Sequence, residues 1–109
     1  MEAKTPQDFF ENVLPLKFKP EKSAGINVVA QINITGVMGG NWIVTVRDQK
    51  IQVTKGIHMS PSLTLQMNEN DFMDLVGGRL SAEKAFFTGR VQFRGNISVA
   101  LKLRDAGFL

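Results

Sequence analysis

An alternation of apolar and polar residues from Ile26 to Thr35 constrains the fold more than any other feature of the chain. Every second residue of this segment is apolar: Ile26, Val28, Ala30, Ile32 and Ile34. A period of two residues predicts a β-strand with one buried face and one polar face. Such a strand needs paired neighbours and a cover over its apolar face. The chain must therefore build a sheet.

Four further segments predict strands of the same sheet. Residues 41–47 and 51–54 repeat the alternation and follow the first strand after the short turns VMGG and DQK. Three strands with such short links predict an antiparallel meander. Residues 63–67 and 90–95 predict a fourth and a fifth strand. The glycine-rich stretch GVMGG lies between two strands, so it is interpreted as a hairpin turn and not as a phosphate-binding loop.

Helix signals flank and interrupt these strands. Thr5 is predicted to cap a first helix, which Pro15 is expected to stop. Asn68, Ser81 and Asn96 each precede an apolar-periodic segment and are predicted to cap three more helices. The fold class that follows is α+β, with a five-stranded, mostly antiparallel sheet covered by helices on one face. The 109 residues fit a single domain, residues 1–109.

The last predicted helix, from residue 97 onward, is apolar over a wider arc than a surface helix needs. Its apolar residues are Ile97, Val99, Ala100, Leu101 and Leu103. Three explanations stay open: the helix is wedged between layers, it closes a cavity that holds a lipid, or it forms a dimer contact. All of these residues could equally be ordinary core.

Composition argues against several functional classes. The chain has no cysteine, and His58 is its single histidine, so no Ser/His/Asp triad forms without that loop residue. No metal or cofactor is expected. The formal net charge of +3 attracts phosphates or anionic headgroups, although a solvated basic surface is the commoner reason for it. Nucleic acid is not expected, because Phe93 shares its strand face with Val91 and so belongs to an interior surface.

Three segments, taken in order from Ile26 to Leu103, resemble the sterol carrier protein 2 (SCP2) domain family. They are GGNWIVTVRDQKIQV, LTLQMNENDFMDLVGGRL and AFFTGRVQFRGNISVALKL. The resemblance implies an apolar tunnel between sheet and helices and no catalytic residues. It also implies binding of fatty acids, fatty acyl-CoA, phospholipids and, in some members, sterols. The chain is similar to a short, stand-alone member of that family.

The site residues are chosen from the helices and strands that would line such a tunnel. The predicted lipid-binding residues are Phe72, Val76, Leu80, Phe86, Phe87, Met67, Ile97, Ala100 and Leu101. Met59 is a further candidate, because methionine gives a lining that adapts to different ligands. Arg90, Arg94 and Lys102 are predicted to meet a headgroup or a membrane phosphate.

The expected partner is a lipid ligand, with transient contact to a membrane surface and either a monomeric or a homodimeric state. A cytoplasmic location is expected. Two alternatives stay open. The chain could be an interaction or dimerisation module that uses its last helix and Phe108–Leu109, or an accessory domain that presents lipid to a separate enzyme.

Overall fold

A computed structural model describes residues 3–107 and places five strands in one sheet, in the order β3-β2-β1-β4-β5. The strands are β1 (Val28–Thr35), β2 (Gly40–Arg47), β3 (Lys50–Lys55), β4 (Leu63–Asn68) and β5 (Gln92–Gly95). The helices are α1 (Pro6–Asp8), α2 (Leu14–Lys17), α3 (Glu69–Val76), α4 (Ala82–Phe87) and α5 (Ile97–Asp105). The predicted α+β class with a five-stranded sheet is confirmed.

The strand pairing is antiparallel except at one position. The predicted meander β1-β2-β3 is confirmed, and β4 pairs with β5 in the same antiparallel sense. β4, however, lies parallel to β1 instead of following β3 along the edge. The sheet is therefore mixed, and the segment between β3 and β4 must cross β2 and β1 to reach its place.

That crossing runs over the polar face of the sheet and is fixed by a buried glutamine. Gln31 alternates with Ala30 and Ile32, so its side chain leaves the sheet on the face away from their apolar side chains. Its Nε2 donates to the carbonyl oxygen of Gly56 at 3.0 Å, and its Oε1 accepts from the backbone N–H of His58 at 2.8 Å. A polar residue that the alternation alone would assign to solvent is thus buried and fully used.

The helices cover the apolar face. Register places Val44 opposite Ala30 and Trp42 opposite Ile32, so all four share that face. The Phe10 ring lies over Trp42, with centroids 4.7 Å apart, and Phe72 from α3 stacks on Phe10 at 5.3 Å. These rings form the centre of the core at the β1-β2 side of the sheet.

The expectation that Pro15 stops the first helix is wrong. The helical segment continues to Lys17, and a π-helical turn at Phe9–Val13 lies between α1 and α2. The backbone N–H of Leu14 bonds back to the carbonyl of Phe9, which leaves Pro15 in the first turn of α2. A proline is accepted there, since first-turn residues need no N–H donor. A 3₁₀ turn at Pro20–Lys22 follows.

The predicted caps of the last three helices are confirmed. Oδ1 of Asn68 accepts from the N–H of Asp71 at 2.8 Å, and Oδ1 of Asn96 accepts from the N–H of Ser98 at the same distance. Oγ of Ser81 accepts from the N–H of Lys84 at 3.1 Å. Each cap satisfies an N–H group that the first turn leaves without a partner, so the start of each helix is set locally.

Gly89 lies three residues before β5, and Gly95 is its last residue. Both have positive φ, 74° and 125°. A Cβ at Gly95 would lie 2.8 Å from the Cβ of Leu63 and 2.9 Å from the carbonyl oxygen of Ser62, whereas one at Gly89 would meet nothing within 4 Å. We expect Gly89→Ala to lower the free energy of unfolding by about 1 kcal/mol from backbone strain alone. Gly95→Ala adds the clash and should cost more than ~2 kcal/mol.

Urea denaturation of the two alanine variants beside the wild type measures this difference. Equal losses for the two would contradict the close approach of β5 to the start of β4.

Candidate functional site

A cavity of about 310 Å³ lies under the β4-β5 side of the sheet, away from the aromatic core. Fifteen residues line it, and thirteen of them are apolar. The sheet contributes Leu63, Leu65 and Phe93, with Val91 just before β5, and α3 contributes Leu75. The helices α4 and α5 contribute Ala82, Glu83, Ala85, Phe86, Phe87, Ile97, Ala100, Leu101, Leu103 and Arg104.

The floor of the cavity follows from strand register. Leu65 on β4 pairs with Phe93 on β5, so both side chains leave the sheet on the same face. Leu63 and Val91 lie two residues away on their respective chains and share that face. The apolar halves of the two alternating patterns therefore meet beneath the helices.

The walls follow from helix periodicity. On α5, Ile97, Ala100, Leu101 and Arg104 follow the spacing i, i+3, i+4, i+7, which puts them on one side of the helix. Facing positions on α4 include Ala82 and Ala85, and small side chains there and at Ala100 leave space unfilled. The result is an apolar recess between the two helices and the sheet that opens at the protein surface.

The mouth of the cavity is apolar and exposed. Phe87 is 84% exposed and Phe86 is 50% exposed, with their rings edge to face at 6.0 Å between centroids. Ile97 and Leu101 across the cavity are also exposed. Contiguous exposed apolar side chains of this size mark binding surfaces more often than they mark free surface.

Five of the nine predicted lipid-binding residues line this cavity. They are Phe86, Phe87, Ile97, Ala100 and Leu101. The structure places three others elsewhere: Phe72 and Met67 are buried in the main core, and Leu80 is buried in the segment between α3 and α4. Val76 packs, partly buried, against the main core. Met59 is fully exposed in the segment that crosses the polar face.

None of the predicted headgroup residues lines the cavity. Arg94 pairs with Thr64 and alternates with Phe93, so it lies on the opposite face of the sheet. Arg90 and Lys102 are exposed and lie outside the lining. The cation that does line the cavity is Arg104, whose Nη1 donates to Oε1 of Glu83 across the gap between α5 and α4. Its spacing of four residues from Ala100 is the signal by which the sequence could have identified it.

Among the lining residues that the structure describes, the Glu83 carboxylate is the one side chain that could act as a general acid or base, and none is a serine, threonine, cysteine or histidine. His58 is exposed, outside the lining, and its Nδ1 accepts from the N–H of Ser60 at 3.0 Å. Within residues 3–107 no three His, Cys, Asp or Glu side chains are grouped as metal ligands, and no helix is both long and apolar enough to cross a membrane. The last two residues, Phe108 and Leu109, which the interaction hypothesis uses, lie outside the described part of the chain.

Two groups with shifted pKa lie in the N-terminal helical segment and not on the cavity. Burial, with a smaller effect of the Lys19 charge, lowers the pKa of Lys17. Hydrogen bonds from the Asn12 side chain and the Lys4 backbone lower the pKa of Asp8. Neither group takes part in the site described above.

Comparison with known proteins gives one consistent answer. The sequence model of the SCP-2 sterol transfer family matches residues 10–106. Mouse peroxisomal multifunctional enzyme type 2 is 33% identical over 92 residues, 76% of this chain, and human sterol carrier protein 2 is 31% identical over 64 residues, 59% of this chain. The matched stretch covers only 12% of each of these two relatives.

A solved structure has the same fold as this chain. Palmitated SCP2L2 from Aedes aegypti, determined by solution NMR, superposes with a TM-score of 0.67 at 27% sequence identity. The superposition covers 80% of this chain and 78% of that one.

Proposed function

This chain belongs to the SCP-2 sterol transfer family, whose members bind lipids, and from that premise we propose that its cavity takes up the acyl chain of a lipid without reacting with it. The observation that carries the proposal is the cavity itself, with its apolar floor, its alanine-lined walls and its exposed phenylalanine mouth. The Aedes aegypti protein was solved in a palmitated form, and palmitate is a ligand of the same chemical class.

The size of the cavity limits what it encloses. A volume of about 310 Å³ stands at the lower end of the range of small-molecule pockets. A methylene occupies about as much room as a water molecule, ~30 Å³, so roughly ten chain carbons fit inside. Burial of each contributes ~0.8 kcal/mol. About ten buried methylenes give ~8 kcal/mol, which corresponds to about 1 μM before any cost, so after the loss of ligand freedom an affinity weaker than micromolar is the expected result.

Because the lining is apolar, selection should follow chain length and not detailed shape. We expect the affinity for saturated fatty acids to rise about three- to fourfold per added methylene, up to about ten carbons. Beyond that length the added carbons leave through the mouth and the affinity should level off. Titration calorimetry across acids of six to eighteen carbons measures this profile. A steady rise to eighteen would show that the cavity expands around its ligand.

The function itself is tested by mass spectrometry of the purified protein, first under native conditions and then after solvent extraction. We expect an adduct of one lipid per chain, or one decanoic acid per chain when the delipidated protein is titrated. An apo mass that does not shift on addition of fatty acid, decanol or acyl-CoA would contradict lipid binding and favour the interaction module. In that case, the mass of the free protein in solution would show whether two copies cover the mouth.

A second candidate role is that of an accessory domain that presents lipid to an enzyme. It is favoured by the match to one-eighth of a multifunctional peroxisomal enzyme, which indicates that such a domain also occurs within larger enzymes. In this role the chain would hold substrate or product while another protein performs the chemistry. Ligand transfer to a candidate enzyme, followed by stopped-flow fluorescence of a labelled fatty acid, would separate presentation from storage.

A further inference from the structure

We propose that Arg104 anchors the headgroup of a single-chain anionic lipid and that Glu83 is the internal counter-charge that the headgroup replaces. The inference rests on the proposed function and adds the residues that would hold the headgroup of the ligand. Its shared chemistry is a carboxylate or phosphate attached to one acyl chain. The anchor lies on α5, and the counter-charge lies on α4.

The position of the pair is what distinguishes it. Among the lining residues of the described chain, only Glu83 and Arg104 are charged. Arg104 continues the row of Ala100 and Leu101 along α5, and Glu83 lies one turn before Phe86 and Phe87 along α4. A ligand whose tail lies among those apolar residues would bring its headgroup within reach of the pair.

Arg104 has hydrogen-bonding capacity to spare. A guanidinium carries five N–H donors, and Nη1 here donates to Oε1 of Glu83. Nε lies 3.7 Å from Oδ1 of Asp105, too far for a hydrogen bond. Within residues 3–107 no acceptor is bonded to Nη2. A carboxylate or phosphate is the group that the guanidinium fork binds best.

The existing ion pair is easily exchanged. The side chain of Arg104 is 36% exposed and that of Glu83 is 60% exposed. Ion pairs with this much exposure contribute little to stability, so their loss costs little. A headgroup at the edge of an apolar cavity is less hydrated than one in bulk water and gains more from the same cation. Glu83, and more weakly Asp105, oppose the headgroup by like-charge repulsion.

This arrangement predicts effects of opposite sign at the two residues. The quantity to measure is the affinity for decanoic acid divided by the affinity for decanol, both by titration calorimetry on the full chain. Arg104→Gln should lower this ratio about fivefold to tenfold, because the cation is lost. Glu83→Gln should raise it about threefold, because the cation is freed and the repulsion removed.

The matched control is Arg94→Gln, which removes the same charge from the opposite face of the sheet and should leave the ratio within a factor of two of the wild type. Decyl phosphate in place of decanoic acid then shows which headgroup is preferred. A larger effect of Arg104→Gln on the phosphate identifies a single-chain phosphate lipid such as a lysophospholipid, and a larger effect on the acid identifies a fatty acid.

The outcomes separate this inference from the proposed function. If neither decanoic acid nor decanol binds the wild type, lipid binding itself fails. If both bind and Arg104→Gln behaves like Arg94→Gln, headgroup binding by Arg104 is contradicted, whereas acyl-chain binding in the cavity is supported. If Arg104→Gln and Glu83→Gln shift the ratio in the same direction, the pair only ties α4 to α5, and the inference is overturned. Urea denaturation of each variant shows that the ratios refer to folded protein.

Discussion

Ala100→Trp is expected to reduce the affinity for decanoic acid and decanol by at least about 100-fold, or ~2.7 kcal/mol, while the protein remains folded. Ala100 lies on α5 and lines a cavity of about 310 Å³, so an indole there competes with the ligand for the same space. Burial of an aromatic side chain in a space that already exists adds apolar contact. The free energy of unfolding should therefore hold or rise slightly. Titration calorimetry and urea denaturation measure the two effects.

Ser98→Trp is the matched control. Ser98 is exposed on the same helix, two residues away, and does not line the cavity. It receives the same large side chain on the outside of α5, so we expect ligand affinity within about twofold of the wild type. If Ala100→Trp bound lipid as the wild type does, the ligand would have to bind elsewhere. A similar loss in both variants would indicate an effect on the helix and not on the cavity.

Phe72→Ala is expected to lower the free energy of unfolding by about 3–5 kcal/mol. Phe72 is 1% exposed, its ring stacks on Phe10 at 5.3 Å between centroids, and it meets Phe9 edge to face at 5.5 Å. Its removal leaves a void beside the buried rings of Phe9 and Phe10. Since a domain of this size has roughly 5–15 kcal/mol of stability, the loss is a large fraction of the total. A midpoint shift in urea measures it.

The comparison with Phe86→Ala separates core from site. Phe86 is half-exposed at the mouth of the cavity and makes a ring contact with Phe87. We expect its removal to cost less than ~1 kcal/mol of stability but to weaken decanol binding severalfold. Phe72→Ala should show the reverse order of effects. A loss of stability at Phe86 equal to that at Phe72 would show that the mouth is part of the core.

These two phenylalanines also show the limit of the reasoning from sequence. Both belong to apolar helical faces, and both were predicted to bind lipid. Helical periodicity shows that Phe72 and Phe86 point inward from their helices, but it cannot show towards which end of the sheet. The structure stacks Phe72 on Phe10, which in turn stacks on Trp42 at the β1-β2 side, and places Phe86 over β4-β5. Core and cavity share one sheet face, so the period of two residues cannot separate them.

The predicted headgroup residues Arg90, Arg94 and Lys102 do not line the cavity. Arg90 and Arg94 lie on the basic face of the predicted strand 90–95, opposite the apolar face of Val91 and Phe93. Val91 and Phe93 line the cavity, so the basic face of that strand points away from it. Arg104 shares the cavity face of α5 with Ala100, and helical spacing alone would have found it. Its contact with Glu83 on α4 is another matter, since 21 residues separate the two in sequence.

The sequence by itself determined what depends on near neighbours along the chain. The alternation around Ile32 set the strands, the side chains of Asn68, Ser81 and Asn96 set the helix starts, and the ordered segments identified the family. Only the tertiary structure decided what depends on residues far apart. It placed β4 beside β1, buried Gln31 under the crossing segment, and opened the cavity between α4 and α5. Local patterns fix which face of an element is apolar, whereas the packing of whole elements fixes where apolar faces meet and where space is left between them.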